Sequence, residues 1–120
     1  MDFSDFIEEL SLFPAEEKYE LLIEYGKKLI SPQDIQQDKY LVPGCISVVY
    51  IRVRKEDNYI VEGYADSLIV KGIVYMFCEA LTGKKELEVP KEFFESFGSS
   101  LTPNRANASQ AIWKYIQHER

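Results

Sequence analysis

The chain has 120 residues, of which 46% are hydrophobic and 28% charged, and this composition indicates one globular domain over residues 1–120. Its net charge of −6 argues against nucleic acid as a partner, because neutralisation of phosphates supplies most of that affinity. The chain lacks both an apolar run of the roughly 20 residues that span a bilayer and the features of a secretory signal, so we expect no membrane partner and a cytoplasmic location.

Two helices are predicted in the first quarter of the chain. Residues 3–12 can form the first, and Pro14 suits the first turn of the second. We expect the second helix to end at Ser31-Pro32. Its expected buried stripe follows helical spacing and consists of Tyr19, Leu22, Ile23, Gly26, Leu29 and Ile30.

Acidic residues dominate this region, since Lys18 is the only basic residue among the first 24. The simplest interpretation is a solvated helix face. An acidic docking surface is the alternative.

Residues 33–44 are polar and irregular, and part of this segment could add a short strand. From Ser47 to Arg54 apolar and polar side chains alternate, which is typical of a half-buried strand, with Arg52 and Arg54 on its solvated face. A charged turn over residues 55–58 leads into a second strand from Tyr59 to Tyr64.

Three further helices are predicted in the second half. Asp66 or Ser67 should cap a helix over residues 68–81, which is apolar on almost all sides and therefore central. Residues 90–97 form a short helix. Thr102 as the cap and Pro103 in the first turn begin the last one. Its expected inward side chains are Ala108, Ala111, Ile112, Tyr115 and Ile116. This order predicts an α+β fold in which several helices pack against a small antiparallel sheet of two or three strands.

Cys45 is the main candidate for chemistry. Pro43 and Gly44 break regular structure immediately before it, and a β-branched run follows it, so the thiol is expected at the tip of a loop that leads into a strand. Gly44 permits a positive φ and the close approach of another backbone. A thiol at such a position is more easily interpreted as one that a partner reaches than as a packing residue, although free cysteines are often buried.

The other candidates are less specific. Arg105 falls near the start of the last helix, where the helix dipole disfavours a cation, so it contacts a partner, extends into solvent or pairs with a carboxylate. Helix capping accounts for Asp66, and a partner contact would be additional. Cys78 lies in an apolar segment and is expected in the interior. With one histidine, His118, and two cysteines, the chain lacks the paired ligand spacings of a zinc site.

Three blocks of sequence resemble the SufE family, the sulfur acceptors that work with a cysteine desulfurase in iron–sulfur cluster assembly. Residues 42–50, Val-Pro-Gly-Cys-Ile-Ser-Val-Val-Tyr, are similar to the family's Val-x-Gly-Cys-Gln-Ser-x-Val-Trp. Residues 63–72 resemble its segment that ends in Ile-Val-Lys-Gly, and residues 101–105 its Leu-Thr-Pro-x-Arg. Ile46, Val48 and Tyr50 depart from the usual family residues.

The resemblance implies a SufE/IscU-like fold and a role for each matched residue. Cys45 would accept sulfane sulfur as a persulfide, and Gly44, Ser47, Asp66 and Arg105 would contact the partner. The expected partners are a SufS-like desulfurase, which carries the pyridoxal phosphate, and a SufBCD-like scaffold that receives the sulfur. The chain itself would be a monomer or weak dimer, without a cofactor and not an enzyme in its own right.

Other functions remain open on the sequence. Sulfur could pass instead to another acceptor, such as a tRNA-modifying pathway. An iron–sulfur scaffold of the IscU type normally needs four ligands, mostly thiolates, and this chain has two cysteines. A cysteine hydrolase needs a general base near the thiol, for which His118 is the only histidine.

Overall fold

The structure is a computed structural model that describes residues 1–97 and 103–119, with the side chains of residues 103–106 outside that description. The described elements follow one another in the order α1 (Phe3–Ser11), α2 (Ala15–Lys27), the 3₁₀ turn η1 (Asp38–Tyr40), β1 (Val49–Lys55), β2 (Tyr59–Ala65), α3 (Leu68–Leu81), α4 (Lys91–Glu95) and α5 (Pro103–Glu119). Strands β1 and β2 pair antiparallel, with Val49 opposite Ala65 and Lys55 opposite Tyr59. The α+β prediction is confirmed. The third strand is reduced to one bridge between Leu41 and Tyr50, so the described sheet has two strands.

Helix α3 lies at the centre of the fold, packed against α2, β2 and α5. Its predicted bounds are confirmed, and eight of its 14 residues are buried, as expected for a helix that is apolar almost all round. At Gly72 the backbone of α2 comes so close that a Cβ on this residue would overlap the carbonyl oxygen of Leu22. Helices α2 and α3 therefore touch through their backbones.

Aromatic rings fill the space between α1, α3 and α4. Phe3, Phe77 and Phe93 meet edge to face, with ring centroids 4.7–5.9 Å apart, and Phe97 packs on Phe93 at 5.2 Å. These four rings are buried, so they stabilise the fold as packing residues.

The prediction for the end of α2 was wrong. The helix ends at Lys27 and not at Ser31, and Ile30, placed in the buried stripe, is 91% exposed. Tyr25 takes a buried position that the stripe did not include. The Ser31 hydroxyl donates a hydrogen bond of 2.7 Å to the carbonyl of Gly63, so a tertiary contact with β2 holds the chain that follows α2.

Arg52 was also misplaced by the sequence pattern. Its side chain is only 14% exposed, and its guanidinium pairs with Glu62 at 2.9 Å and with Asp34 at 3.0 Å. Arg54, 46% exposed, pairs with the same Glu62 at 3.0 Å. This network ties the segment before Cys45 to the outer face of the sheet, which is therefore less solvated than expected.

Candidate functional site

The candidate site is the loop of residues 43–48, which carries Cys45 between η1 and β1. Its base is closed where the amide of Val42 donates to the carbonyl of Val49 at 2.8 Å, next to the bridge between Leu41 and Tyr50. Gly44 has a φ of +83°, which favours glycine over every other residue. The Pro-Gly pair thus turns the chain as predicted.

Asp66 holds the end of this loop. Its carboxylate accepts a hydrogen bond of 3.0 Å from the amide of Val48, and its own amide donates to the carbonyl of Val48 at 3.1 Å. Ser67, not Asp66, is the N-cap residue of α3, and it makes no side-chain capping bond. Of the two residues expected at the cap, Ser67 is therefore the one observed, and the capping role of Asp66 was wrong, because its carboxylate is engaged by Val48, a residue 18 positions earlier.

Cys45 lies deeper than a loop tip suggests. Its side chain is partly buried and packs against the hydrophobic core, whereas the neighbouring Ile46 is 77% exposed. Burial raises the pKa of the Cys45 thiol, because removal from water disfavours the thiolate. At neutral pH the resting thiol is thus protonated.

The loop lies beside α5. Pro43 and Gly44 line a groove of about 760 Å³ together with Ala111, Lys114, Tyr115, Gln117 and His118. The Tyr115 hydroxyl donates a hydrogen bond of 2.8 Å to the carbonyl of Lys39 in η1, which fixes the chain just before the loop. Sequence reasoning assigned Ala111 and Tyr115 to the core but did not identify the groove, since α5 lies far from Cys45 along the chain.

Ser47, Arg105 and Cys78 are the remaining residues that the sequence singled out. Ser47, in the same loop as Cys45, is partly buried. Arg105 lies in α5, but its side chain is outside the description, and so is the whole of Thr102. Cys78 sits on α3, partly buried against the core and less enclosed than expected. Burial, with Glu62 and Glu79 nearby, raises the pKa of the Cys78 thiol well above its usual range.

Within residues 1–97 and 103–119, there is no group of three or more His, Cys, Asp and Glu side chains that could hold a metal ion. None of the described helices has the length and apolar character needed to cross a membrane.

The reactivity of Cys45 should depend on pH in a defined direction. Because burial places its pKa above the ordinary thiol value, its thiolate fraction at pH 7 lies below the few per cent of a free cysteine. Alkylation of the folded protein by iodoacetamide should be slower than in denaturant at pH 7 and should rise by about tenfold per pH unit into the alkaline range. A rate that already reaches its plateau at neutral pH would contradict this assignment.

Asp66→Ala should loosen the loop without unfolding the domain. The variant removes one charge-assisted hydrogen bond at an exposed position, which costs about 1 kcal/mol. Hydrogen exchange at the amide of Val48 should become about fivefold faster. Asp57→Ala, in the exposed turn between β1 and β2, is the matched control and should leave this amide unchanged. Equal protection of Val48 in both variants would show that the carboxylate does not hold the loop.

Comparison with known proteins identifies the family. The model of the SufE family, described as an Fe–S metabolism associated domain, matches residues 4–120. A SufE-like protein of Synechocystis sp. is 38% identical over 83% of this chain and 67% of its own length. The chloroplastic/mitochondrial SufE-like protein 1 of Arabidopsis thaliana is 33% identical over 83% of this chain, but the match spans only 29% of that relative.

A solved structure supports the fold. The solution structure of a hypothetical protein from Thermus thermophilus superposes with a TM-score of 0.78 over 98% of this chain and 91% of that one. At 21% identity, this likeness concerns the architecture alone.

Proposed function

The chain belongs to the SufE family, and we propose that it accepts sulfane sulfur from a cysteine desulfurase on Cys45 and passes it on for iron–sulfur cluster assembly in the cytoplasm. One observation carries the choice of residue. Cys45 is the cysteine in a surface loop, closed at its base by Val42 and Val49 and held at its end by Asp66, whereas Cys78 lies within a helix. The domain would act as one unit over residues 1–120.

The transfer itself needs little machinery. The thiolate of Cys45 attacks the outer sulfur of a cysteine persulfide on the desulfurase, and a new sulfur–sulfur bond forms as the bond between the partner's two sulfurs breaks. The partner's cysteine leaves as a thiolate, and Cys45 now carries the persulfide. No oxidant is consumed, because the sulfane sulfur keeps its oxidation state. A base is needed only to remove the thiol proton of Cys45.

The partner has to make the Cys45 thiol more accessible or more easily ionised for this reaction. The half-buried, protonated thiol of the free protein is a poor nucleophile, so displacement of the loop or a positive charge brought near it would accelerate the attack. Gly44, with its positive φ, and Asp66, with its bonds to Val48, support a role in positioning this loop. We propose Ser47 and Arg105 as further contacts of the desulfurase.

Apolar side chains around the loop support docking of a protein partner. Four large apolar side chains are exposed in the loop or in segments hydrogen-bonded to it: Ile46 (77%), Val48 (41%), Leu41 (42%) and Leu68 (61%). Exposed apolar side chains that cluster in this way are typical of interaction surfaces.

The proposal is tested by mixing the protein with a SufS-type desulfurase, pyridoxal phosphate and cysteine. We expect mass spectrometry to find one added sulfur atom on the peptide that contains Cys45, and a reductant to remove it. The protein should also increase the rate at which the desulfurase forms alanine. A desulfurase that turns over normally but leaves the protein without added sulfur and is itself not accelerated would overturn the proposal for that class of partner.

A further inference from the structure

A second groove lies along the outer face of α2. It has a volume of about 370 Å³ and is lined by three apolar and three acidic side chains, Phe13, Leu21, Ile23, Glu17, Glu20 and Glu24. It shares no residue with the groove beside Cys45. We call it the α2 groove.

The spacing along α2 explains why this face is both apolar and acidic. Glu17, Leu21 and Glu24 follow one another at i, i+4 and i+7 and therefore lie on one side of the helix. The opposite side, with Leu22, is buried against the core. Leu21 and Ile23 are half-buried on the two flanks of this face, and the exposed glutamates lie between them.

The apolar surface continues at the N-terminal end of α2. Phe13 is 37% exposed and the adjacent Leu12 is 74% exposed, both in the short connection between α1 and α2. Two of the large exposed apolar side chains thus adjoin one acidic groove. Single exposed apolar residues are ordinary, but a contiguous group is typical of an interaction site.

The acidic side chains at the groove are only partly neutralised. Glu24 pairs with Lys27 at 3.1 Å, with both side chains largely exposed, and the amine of Lys18 is directed to the carbonyl of Ser96. No ion pair within the described residues involves Glu17 or Glu20. Glu20 and Glu24 are four residues apart on the helix and repel each other. A cation from a partner would relieve this repulsion.

We propose that the α2 groove binds an amphipathic helix of a partner protein, with apolar side chains toward Phe13, Leu21 and Ile23 and with lysine or arginine beside the glutamates. Charge complementarity decides the occupant. Anionic lipids and nucleic acids are repelled by the glutamates, and a second copy of this chain carries a net charge of −6. The proposal does not depend on sulfur transfer at Cys45, so each can fail without the other.

The test titrates the folded protein with a synthetic leucine–lysine peptide whose leucines lie at helical spacing, and follows amide chemical shifts by NMR. We expect the largest shifts at the residues of the α2 groove. The triple variant Glu17→Gln, Glu20→Gln, Glu24→Gln should weaken binding by about tenfold, the combined effect of three exposed ion pairs. The same peptide with glutamate for lysine should not bind.

Two controls separate a specific site from general attraction. The first control is a triple variant with the same change in net charge, but at positions away from the groove: Asp57→Asn, Glu86→Gln, Glu88→Gln. It should bind the peptide as the parent does. Phe13→Ser should weaken binding severalfold, whereas Ile30→Ser, at an exposed apolar position outside the groove, should not.

Three outcomes would overturn the proposal. The first is equal weakening by the two charge variants, and the second is a set of shifts outside the α2 groove. The third is self-association of the free protein that Phe13→Ser abolishes, because the groove would then bind a second copy of the chain.

Discussion

Cys45→Ser is expected to reduce sulfur uptake from a desulfurase to background, a loss of at least about 100-fold, because a serine hydroxyl is not ionised near neutral pH and forms no persulfide. The substitution is nearly isosteric and the side chain is only partly buried, so the fold should be unaffected. Uptake is measured by mass spectrometry of the intact protein after incubation with desulfurase, pyridoxal phosphate and cysteine.

Cys78→Ser is the matched control and should take up sulfur as the parent does. Its thiol packs against the core from α3, and burial raises its pKa far above that of a reactive thiol. Serine at this position should cost stability, which circular dichroism would register, but not uptake. If Cys45→Ser keeps the parent's uptake while Cys78→Ser loses it, the acceptor has been assigned to the wrong cysteine.

The largest expected loss of stability comes from Gly72→Ala. Alanine inside a helix usually stabilises by about 0.5–1 kcal/mol relative to glycine. Here the added Cβ would overlap the carbonyl oxygen of Leu22 and lie 2.7 Å from its carbonyl carbon, both backbone atoms of α2. The two central helices must separate, at a cost of about 3 kcal/mol or more. The denaturation midpoint should fall sharply, or the protein should not fold.

Gly83→Ala is the control for the general effect of replacing glycine. Gly83 has a φ of +92°, and a Cβ added to it would meet no atom within 4 Å. The alanine variant should therefore lose only the about 1–2 kcal/mol of folding free energy that an L-residue loses in a left-handed backbone conformation. If Gly72→Ala unfolds at the same denaturant concentration as the parent, the backbones of α2 and α3 do not approach each other as closely as described.

The sequence predicted those helices, strands and loops whose conformation is determined by residues close together along the chain. Helix α3 was predicted with its observed bounds, because nearly every position from 68 to 81 is apolar. Strand β1 followed from alternation, with Val49 and Ile51 fully buried, and β2 followed from the charged turn before it. The position of Cys45 on a loop followed from the Pro-Gly pair.

The errors have long-range causes. Asp66 satisfied every local rule for a helix cap, yet its carboxylate binds the amide of Val48 from the preceding loop. Arg52 fitted a solvated strand face, but Asp34 and Glu62 pair with it from two other segments. The depth of Cys45 depends on packing against the core, which only the tertiary structure establishes. Sequence reasoning could name these residues but not their partners.

If Cys45 carries sulfur as proposed, its partial enclosure would affect both the loading and the unloading of that sulfur. If a persulfide occupies the resting position of the thiol, the same packing that keeps solvent from Cys45 also hinders small-molecule reductants, which must approach the outer sulfur in order to remove it. Loading and unloading would then both be fastest in contact with a macromolecule that draws residues 43–48 away from the core, and removal by a small reductant would be slower. Such a carrier would transfer sulfur more slowly but would also lose it more slowly. The lifetime of bound sulfur in a reducing solution should therefore lengthen as the loop is held more tightly.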